Sequence, residues 1–300
     1  MMGFVSLLIF ISLPSVLVTA AEPGSGHWCY ESIQADGCPG PSKWTDEFKD
    51  CGGHKQSPIN IDTKNVASDS NLKSFAFKGY DSSISTTIKN NGHSAEVALT
   101  AAITISDGGL ENTYTAAQLH FHWGSSNSKG SEHTIDGKQY AMELHIVHAL
   151  QDGSKAVLGF LYEESEHNNE KYDNLITAVK GISNINSNQS IANLKLQDLI
   201  PEEKDLTRYY RYEGSLTTPP CTENVIWTVF EEPILLGKEQ IKAFYETLNF
   251  DAGTHKMENN FRPVQNLNER KVSYSRAGAI LSLGKPLLIS LAAVCLMITF

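Results

Sequence analysis

Gln118-Leu119-His120-Phe121-His122-Trp123-Gly124 alternates polar and apolar side chains with a period of two. On an extended strand that period puts His120 and His122 on one face and Leu119 and Phe121 on the other. Downstream, Met142-Glu143-Leu144-His145-Ile146-Val147-His148 repeats the alternation. There Glu143, His145 and Val147 share one face, and Met142, Leu144, Ile146 and His148 share the other. His145 thus stands beside a carboxylate able to accept its second N–H, whereas His148, among apolar side chains, reads as a core histidine. His120, His122 and His145 then make a three-nitrogen set that leaves zinc's fourth tetrahedral position open, as a catalytic site requires. Gln118 can support His120 as Glu143 supports His145. No cysteine lies near enough in sequence to make a structural zinc site instead.

Outward from these strands the pattern persists. Ser83–Lys89, Ala95–Thr100, Gln118–Trp123, Ala141–His148, Lys155–Tyr162 and Val225–Phe230 are rich in β-branched and aromatic residues and bounded by Gly-containing turns. Helical patterning is sparse, with Asn168–Val179 and Lys238–Leu248 the best candidates. No linker or repeat divides Glu22 to Ser275, so the chain reads as one mainly-β domain built on a large sheet with peripheral short helices.

Both ends carry processing patterns. Met2 to Ala20 is apolar, with Val18 and Ala20 placed for cleavage after Ala20 or Ala21, although no Lys or Arg precedes the run. Pro286 to Phe300 is apolar but short of the ~20 residues a membrane span needs. Small residues at Ser273, Ser275, Ala277, Gly278 and Ala279 precede it, the pattern of a glycosylphosphatidylinositol (GPI) attachment signal. The expected organisation is a signal peptide over 1–20, a domain over 21–275 and a removed tail over 276–300. Ser275 is the favoured attachment residue, with Ala277 close behind. Losing Cys295 with the tail leaves Cys29, Cys38, Cys51 and Cys221, an even set with three pairings. Pairing neighbours joins Cys29 to Cys38 and leaves Cys51 with Cys221, in keeping with a secreted protein. Asn188-Gln189-Ser190 is a glycosylation sequon in a polar stretch. A net charge of −10 offers no basic face for nucleic acid.

Further segments gain meaning together: Gln56-Ser57-Pro58-Ile59-Asn60-Ile61, Asn90-Asn91-Gly92-His93, Gly130-Ser131-Glu132-His133-Thr134, Gly214-Ser215-Leu216-Thr217-Thr218-Pro219-Pro220 and Asn260-Phe261-Arg262-Pro263. With the histidine set, this ordered series resembles the α-class carbonic anhydrases from about Trp28 to Tyr274, most closely their GPI-anchored type IV subgroup. The resemblance implies a central twisted ten-stranded, largely antiparallel mixed sheet, with Zn2+ at the base of a cleft. It implies reversible hydration of carbon dioxide to bicarbonate and a proton. Residue by residue it makes His120, His122 and His145 the metal ligands, supported by Gln118, Glu143 and the backbone around Asn260. Thr217 orients the attacking oxygen and gives its own proton to Glu132, and Thr218 contacts bicarbonate. Val147, Val157, Leu216, Val225 and Trp227 form the apolar wall for carbon dioxide. His93 is the proton shuttle, with Tyr30 and Asn90 in the water network beside it. The implied partners are the small-molecule substrate, the membrane through a GPI anchor and a bicarbonate transporter, for a monomer on the outer face of the cell membrane.

Two positions depart from the pattern. Glu96 stands where cytosolic members carry a neutral amide, and Ser94 is bulkier than the alanine found in some relatives. The competing reading, a catalytically silent binding ectodomain, is met in relatives that have lost zinc histidines, and all three are present here. A peptide-cleaving zinc hydrolase would need a His-Glu-x-x-His helix, which this sequence lacks.

Overall fold

A computed structural model describes residues 28–33, 38–99 and 102–275. The signal-peptide and tail expectations, with Cys295, lie outside these residues. Among the described residues there are sixteen strands in chain order: β1 (Asn60–Ile61), β2 (Ala67–Asp69), β3 (Phe75–Lys78), β4 (Ile84–Asn90), β5 (Ala95–Ala98), β6 (Thr104–Asp107), β7 (Tyr114–Trp123) and β8 (Thr134–Ile135) come first. They are followed by β9 (Lys138–Gln139), β10 (Met142–Ala149), β11 (Lys155–Ser165), β12 (Asn188–Leu194), β13 (Tyr209–Gly214), β14 (Val225–Phe230), β15 (Ile234–Gly237) and β16 (Ser273–Ser275).

Thirteen strands form one mixed sheet, and its continuous path is ten strands long: β12-β4-β5-β7-β10-β11-β14-β13-β16-β2. The ten-stranded expectation is met by that path, with β3, β6 and β15 attached beside it. Most pairings are antiparallel; β11 with β14 and β15, and β16 with β2, run parallel. β7 and β10 lie at the centre, flanked by β5 and β11. Their position follows from composition: β10 is buried along seven of its eight residues, as a strand covered on both faces must be.

The helical reading holds for Lys238–Thr247 (α3). At Asn168–Val179 the helix starts later than expected. Asn169 caps a single 3-10 turn, its side chain accepting from the Lys171 N–H, and the α-helix (α2) runs Asp173–Lys180. The short helix α1 (Trp44–Glu47) buries Trp44. One large apolar core fills the space under the sheet, and a second cluster containing Val147, Val157, Val225 and Trp227 sits on the other face. Among the described residues no helix is long and apolar enough to cross a membrane.

Candidate active site

The central antiparallel pair, β7 and β10, aligns the three histidines. His145 of β10 lies directly opposite His120 of β7, and Glu143 lies opposite His122. On the other flank His145 faces Gly159 of β11, where an added Cβ would sit 3.1 Å from Glu143 Oε1. The missing side chain at Gly159 therefore leaves room for the carboxylate.

Each imidazole uses its outer nitrogen on an acceptor. His120 Nδ1 is 2.8 Å from Gln118 Oε1, His122 Nδ1 is 2.7 Å from the Asn260 carbonyl, and His145 Nε2 is 2.8 Å from Glu143 Oε1. The carbonyl and the carboxylate can only accept, so the outer nitrogens of His122 and His145 carry protons and their inner nitrogens present lone pairs. Those inner atoms converge: His122 Nε2 is 3.1 Å from His145 Nδ1, which is 3.3 Å from His120 Nε2. Lone pairs at that separation repel one another unless a cation sits between them. Tetrahedral nitrogen ligands at about 2.0–2.1 Å from zinc lie about 3.3–3.4 Å apart, so the set fits the metal. Burial, then the neighbouring imidazoles, holds the His120 pKa well below its ordinary value, and burial lowers that of His122. Neutral imidazole is the form that binds metal.

Glu143 is the hub behind the ligands. Burial would raise its carboxyl, but His133 and His145 hold it well below the usual range. It accepts from the backbone N–H groups of Glu132 and His133 at 2.9 and 2.8 Å, and His133 Nδ1 lies 2.7 Å from Oε1. His133 passes the chain of contacts to Tyr212 and on to Ser57.

Glu132 is buried, with Oε1 accepting from the Arg262 N–H at 2.8 Å. The expected bond from Thr217 to Glu132 is not made in this arrangement. Glu132 Oε2 is buried with no hydrogen-bond partner and lies 3.4 Å from His122 Nε2. An unsatisfied carboxylate oxygen beside the inner face of the tripod marks where a donor belongs. Arg262 is itself buried and gives its guanidinium to Gln56 Oε1, Ser57 O and Cys51 O. Both expected disulfides form, Cys29–Cys38 and Cys51–Cys221. The second ends the Thr217 loop, where the Cys221 N–H donates to Thr218 O at 2.9 Å.

The expected apolar wall is contiguous. Val147 pairs with Val157 across β10 and β11, Val157 pairs with Trp227 across β11 and β14, and Val225 and Leu216 pack in the same cluster. The Trp227 ring centroid lies 4.7 Å from that of His145, so the wall begins at the ligands.

The turn between β4 and β5 presents His93. Gly92 has φ +86°, a conformation that favours glycine, and a Cβ there would meet Ile185 at 2.6 Å. Trp28 stacks on His93, with centroids 3.8 Å apart and rings within 11° of parallel; the Tyr30 ring lies 6.5 Å away. Burial, then Glu132, raises the Tyr30 phenol well above its ordinary value, keeping it protonated. Asn90 has a different place from the expected one: its amide donates to the carbonyls of Ile182, Ser183 and Asn249, and it is fully buried. Its neighbour Asn91 accepts from His93 N and Ser94 N through Oδ1, and its Nδ2 approaches Glu96 Oε2 at 3.4 Å. Burial raises the Glu96 carboxyl, opposed by Asn91 and Lys89. Ser94 Oγ donates to Phe121 O and accepts from Phe121 N, clamping the residue between His120 and His122. Trp28 and Asn91 were not singled out from sequence. The signal for Trp28 was its place two residues before Tyr30, and for Asn91 its place in the Asn-Gly turn.

Asn188 is exposed at the start of β12, and Ser275 is buried at the end of β16.

A family model described as eukaryotic-type carbonic anhydrase matches residues 39–276. Carbonic anhydrase 4 of Rattus norvegicus is 41% identical over 309 residues, covering 97% of this chain and 99% of that protein. Carbonic anhydrase 4 of Oryctolagus cuniculus is 44% identical over 286 residues, covering 90% and 92%. Carbonic anhydrase 12 of Homo sapiens is 34% identical over 314 residues, covering 96% and 86%. The histidine tripod thus sits in a chain that belongs to the eukaryotic-type carbonic anhydrase family.

Proposed function

We propose that this protein is an extracellular, GPI-anchored zinc enzyme that hydrates carbon dioxide reversibly to bicarbonate and a proton. The convergence of three buried imidazole nitrogens at 3.1 and 3.3 Å carries the reading. His120, His122 and His145 hold the metal, which, when bound, acidifies a water in its open fourth position. Gln118, the Asn260 carbonyl and Glu143 fix the ring orientations. Carbon dioxide has no charge to grip, so the Val147, Val157, Leu216, Val225 and Trp227 surface serves by proximity. Thr217 has one proton to give; offering it to the empty acceptor at Glu132 Oε2 turns its remaining lone pairs toward the reacting oxygen. Thr218 contacts bicarbonate. His93 takes the released proton outward, since an imidazole titrates near neutral pH. Trp28 and Tyr30 frame that ring.

The two disulfides support a secretory route. Asn188 carries an N-linked glycan in this reading, and Ser275 carries the anchor. Ser275 Oγ already bonds Thr207 O and Tyr209 N; anchoring uses its main-chain carbonyl and leaves those bonds intact. A bicarbonate transporter is the partner that would use the product.

Stopped-flow carbon dioxide hydration, with zinc content measured on the same sample, tests the activity. Fast hydration that disappears in His145→Ala supports it. Full zinc occupancy without hydration refutes it. Release of the protein from cells by a phosphatidylinositol-specific phospholipase tests the anchor, and retention on the membrane refutes that part.

A further inference from the structure

We infer that the glycan at Asn188 guards the free edge of the main sheet, which without it accepts a strand from a second copy of this chain. The inference rests on the reading of Asn188 as glycosylated. β12 and β2 are the two ends of the ten-strand path. β2 is three residues long and ends in Asp69, the short, charged kind of edge that resists added strands. β12 is seven residues long, and Asn188-Gln189-Ser190-Ile191-Ala192-Asn193-Leu194 contains no charge and no proline. Five of its seven residues are exposed. A register shift between Ile191 and Leu194, with Asn193 at φ +56°, interrupts its far end and leaves the stretch beginning at Asn188 regularly paired with β4.

Beside this edge runs a groove of about 270 Å³ between β12 and α2. Its lining includes Asn174, Thr177, Gln189, Ser190 and Asn193 and no charged side chain. A foreign strand must have its own composition matched to such an edge, whereas a second copy brings an identical neutral one. Two copies meeting through β12 about a two-fold axis would pair amides, hydroxyls and small apolar groups, with no carboxylate opposing another. That matters in a chain of net charge −10, where two copies repel one another overall. Asn188 opens the regular stretch, so a branched glycan there occupies the volume an incoming strand needs.

The test uses the full chain from a glycosylating secretory host, solubilised in mild detergent, with the protein mass obtained by sedimentation equilibrium. Asn188→Gln and Ser190→Ala each remove the sequon, and both leave an uncharged edge. Enzymatic removal that converts Asn188 to aspartate would itself place a charge there and is avoided. The wild type is expected as a monomer, with both variants shifting toward dimer in the tens-of-micromolar range. Adding Ala192→Lys to Asn188→Gln is expected to restore the monomer by charging the edge. Variants that stay monomeric at the highest concentration overturn the guard role. Intact-mass analysis of the wild type separates the two readings: a glycan with no change in assembly upon its loss overturns the guard alone, whereas a bare Asn188 in a monomer overturns both.

Discussion

His148 is predicted to set an acid limit on stability. It is fully buried; Tyr80 Oη lies 2.8 Å from its Nε2, and Ile146 O lies 3.1 Å from its Nδ1. The carbonyl can only accept, so Nδ1 carries the proton and Tyr80 donates to Nε2. Burial pushes its pKa down from 6.5 to about 4. The folded state therefore refuses a proton that the unfolded chain takes up below pH 6.5. The stabilisation is complete above that pH and is lost as pH falls through the folded value near 4. A difference of about 2.5 units is about 3.4 kcal/mol in full, and about 2.5 kcal/mol of it is lost between pH 7 and pH 4.5. The double variant Tyr80→Phe/His148→Phe removes the titration and both polar partners together, which keeps the core apolar and avoids an orphaned hydroxyl. Denaturant unfolding of the metal-stripped proteins at pH 7.0, 5.5 and 4.5 measures the effect. The gap between wild type and variant should narrow or invert by about 2.5 kcal/mol toward pH 4.5. Parallel stability curves would refute the argument, because the other histidines are common to both proteins and cancel.

Glu143→Gln replaces an acceptor of four contacts with a group that must turn an N–H₂ toward one of its donors. Zinc affinity, measured by competition with a chelator, should fall 10–100-fold, in keeping with the loss of a partner that orients a ligand. Cys51→Ala/Cys221→Ala opens a loop of 170 residues. On chain-entropy grounds this should cost about 5 kcal/mol, read as a lower denaturation midpoint than wild type under oxidising conditions and equality in reductant. Trp28→Ala removes the ring stacked on His93. Hydration in weak buffer should change several-fold while hydration in concentrated imidazole buffer stays at the wild-type rate, since exogenous base bypasses the shuttle.

Strand alternation made the ligands legible. His120 and His122 share a face by local geometry alone, and Glu143 distinguished His145 from His148 before any pairing was known. The register that sets His145 opposite His120 depends on contacts between separate strands and could not be read locally. At Asn90-Asn91 the strand gives way to a turn and alternation ceases to apply, so the burial of the Asn90 amide against Ile182, Ser183 and Asn249 and the contact of Asn91 with Glu96 could not be read locally. The position of Trp28 over His93 joins residues from distant parts of the chain, which no period in the sequence encodes. At Asn169, side-chain capping delayed a helix whose apolar pattern began earlier.

The wiring of Asn260 and Arg262 imposes an order on biosynthesis. All three ligands arise between residues 120 and 145, in strands that can pair soon after they emerge. Yet the acceptor for His122 is the carbonyl of Asn260, and the donor for Glu132 is the backbone of Arg262. The arginine's own side chain closes on Cys51, Gln56 and Ser57, near the beginning of the folded domain. A nascent chain therefore holds the paired ligand strands well before the domain is finished, but the oriented site exists only once the final stretch has docked against the first. Chemistry is withheld until the domain is whole.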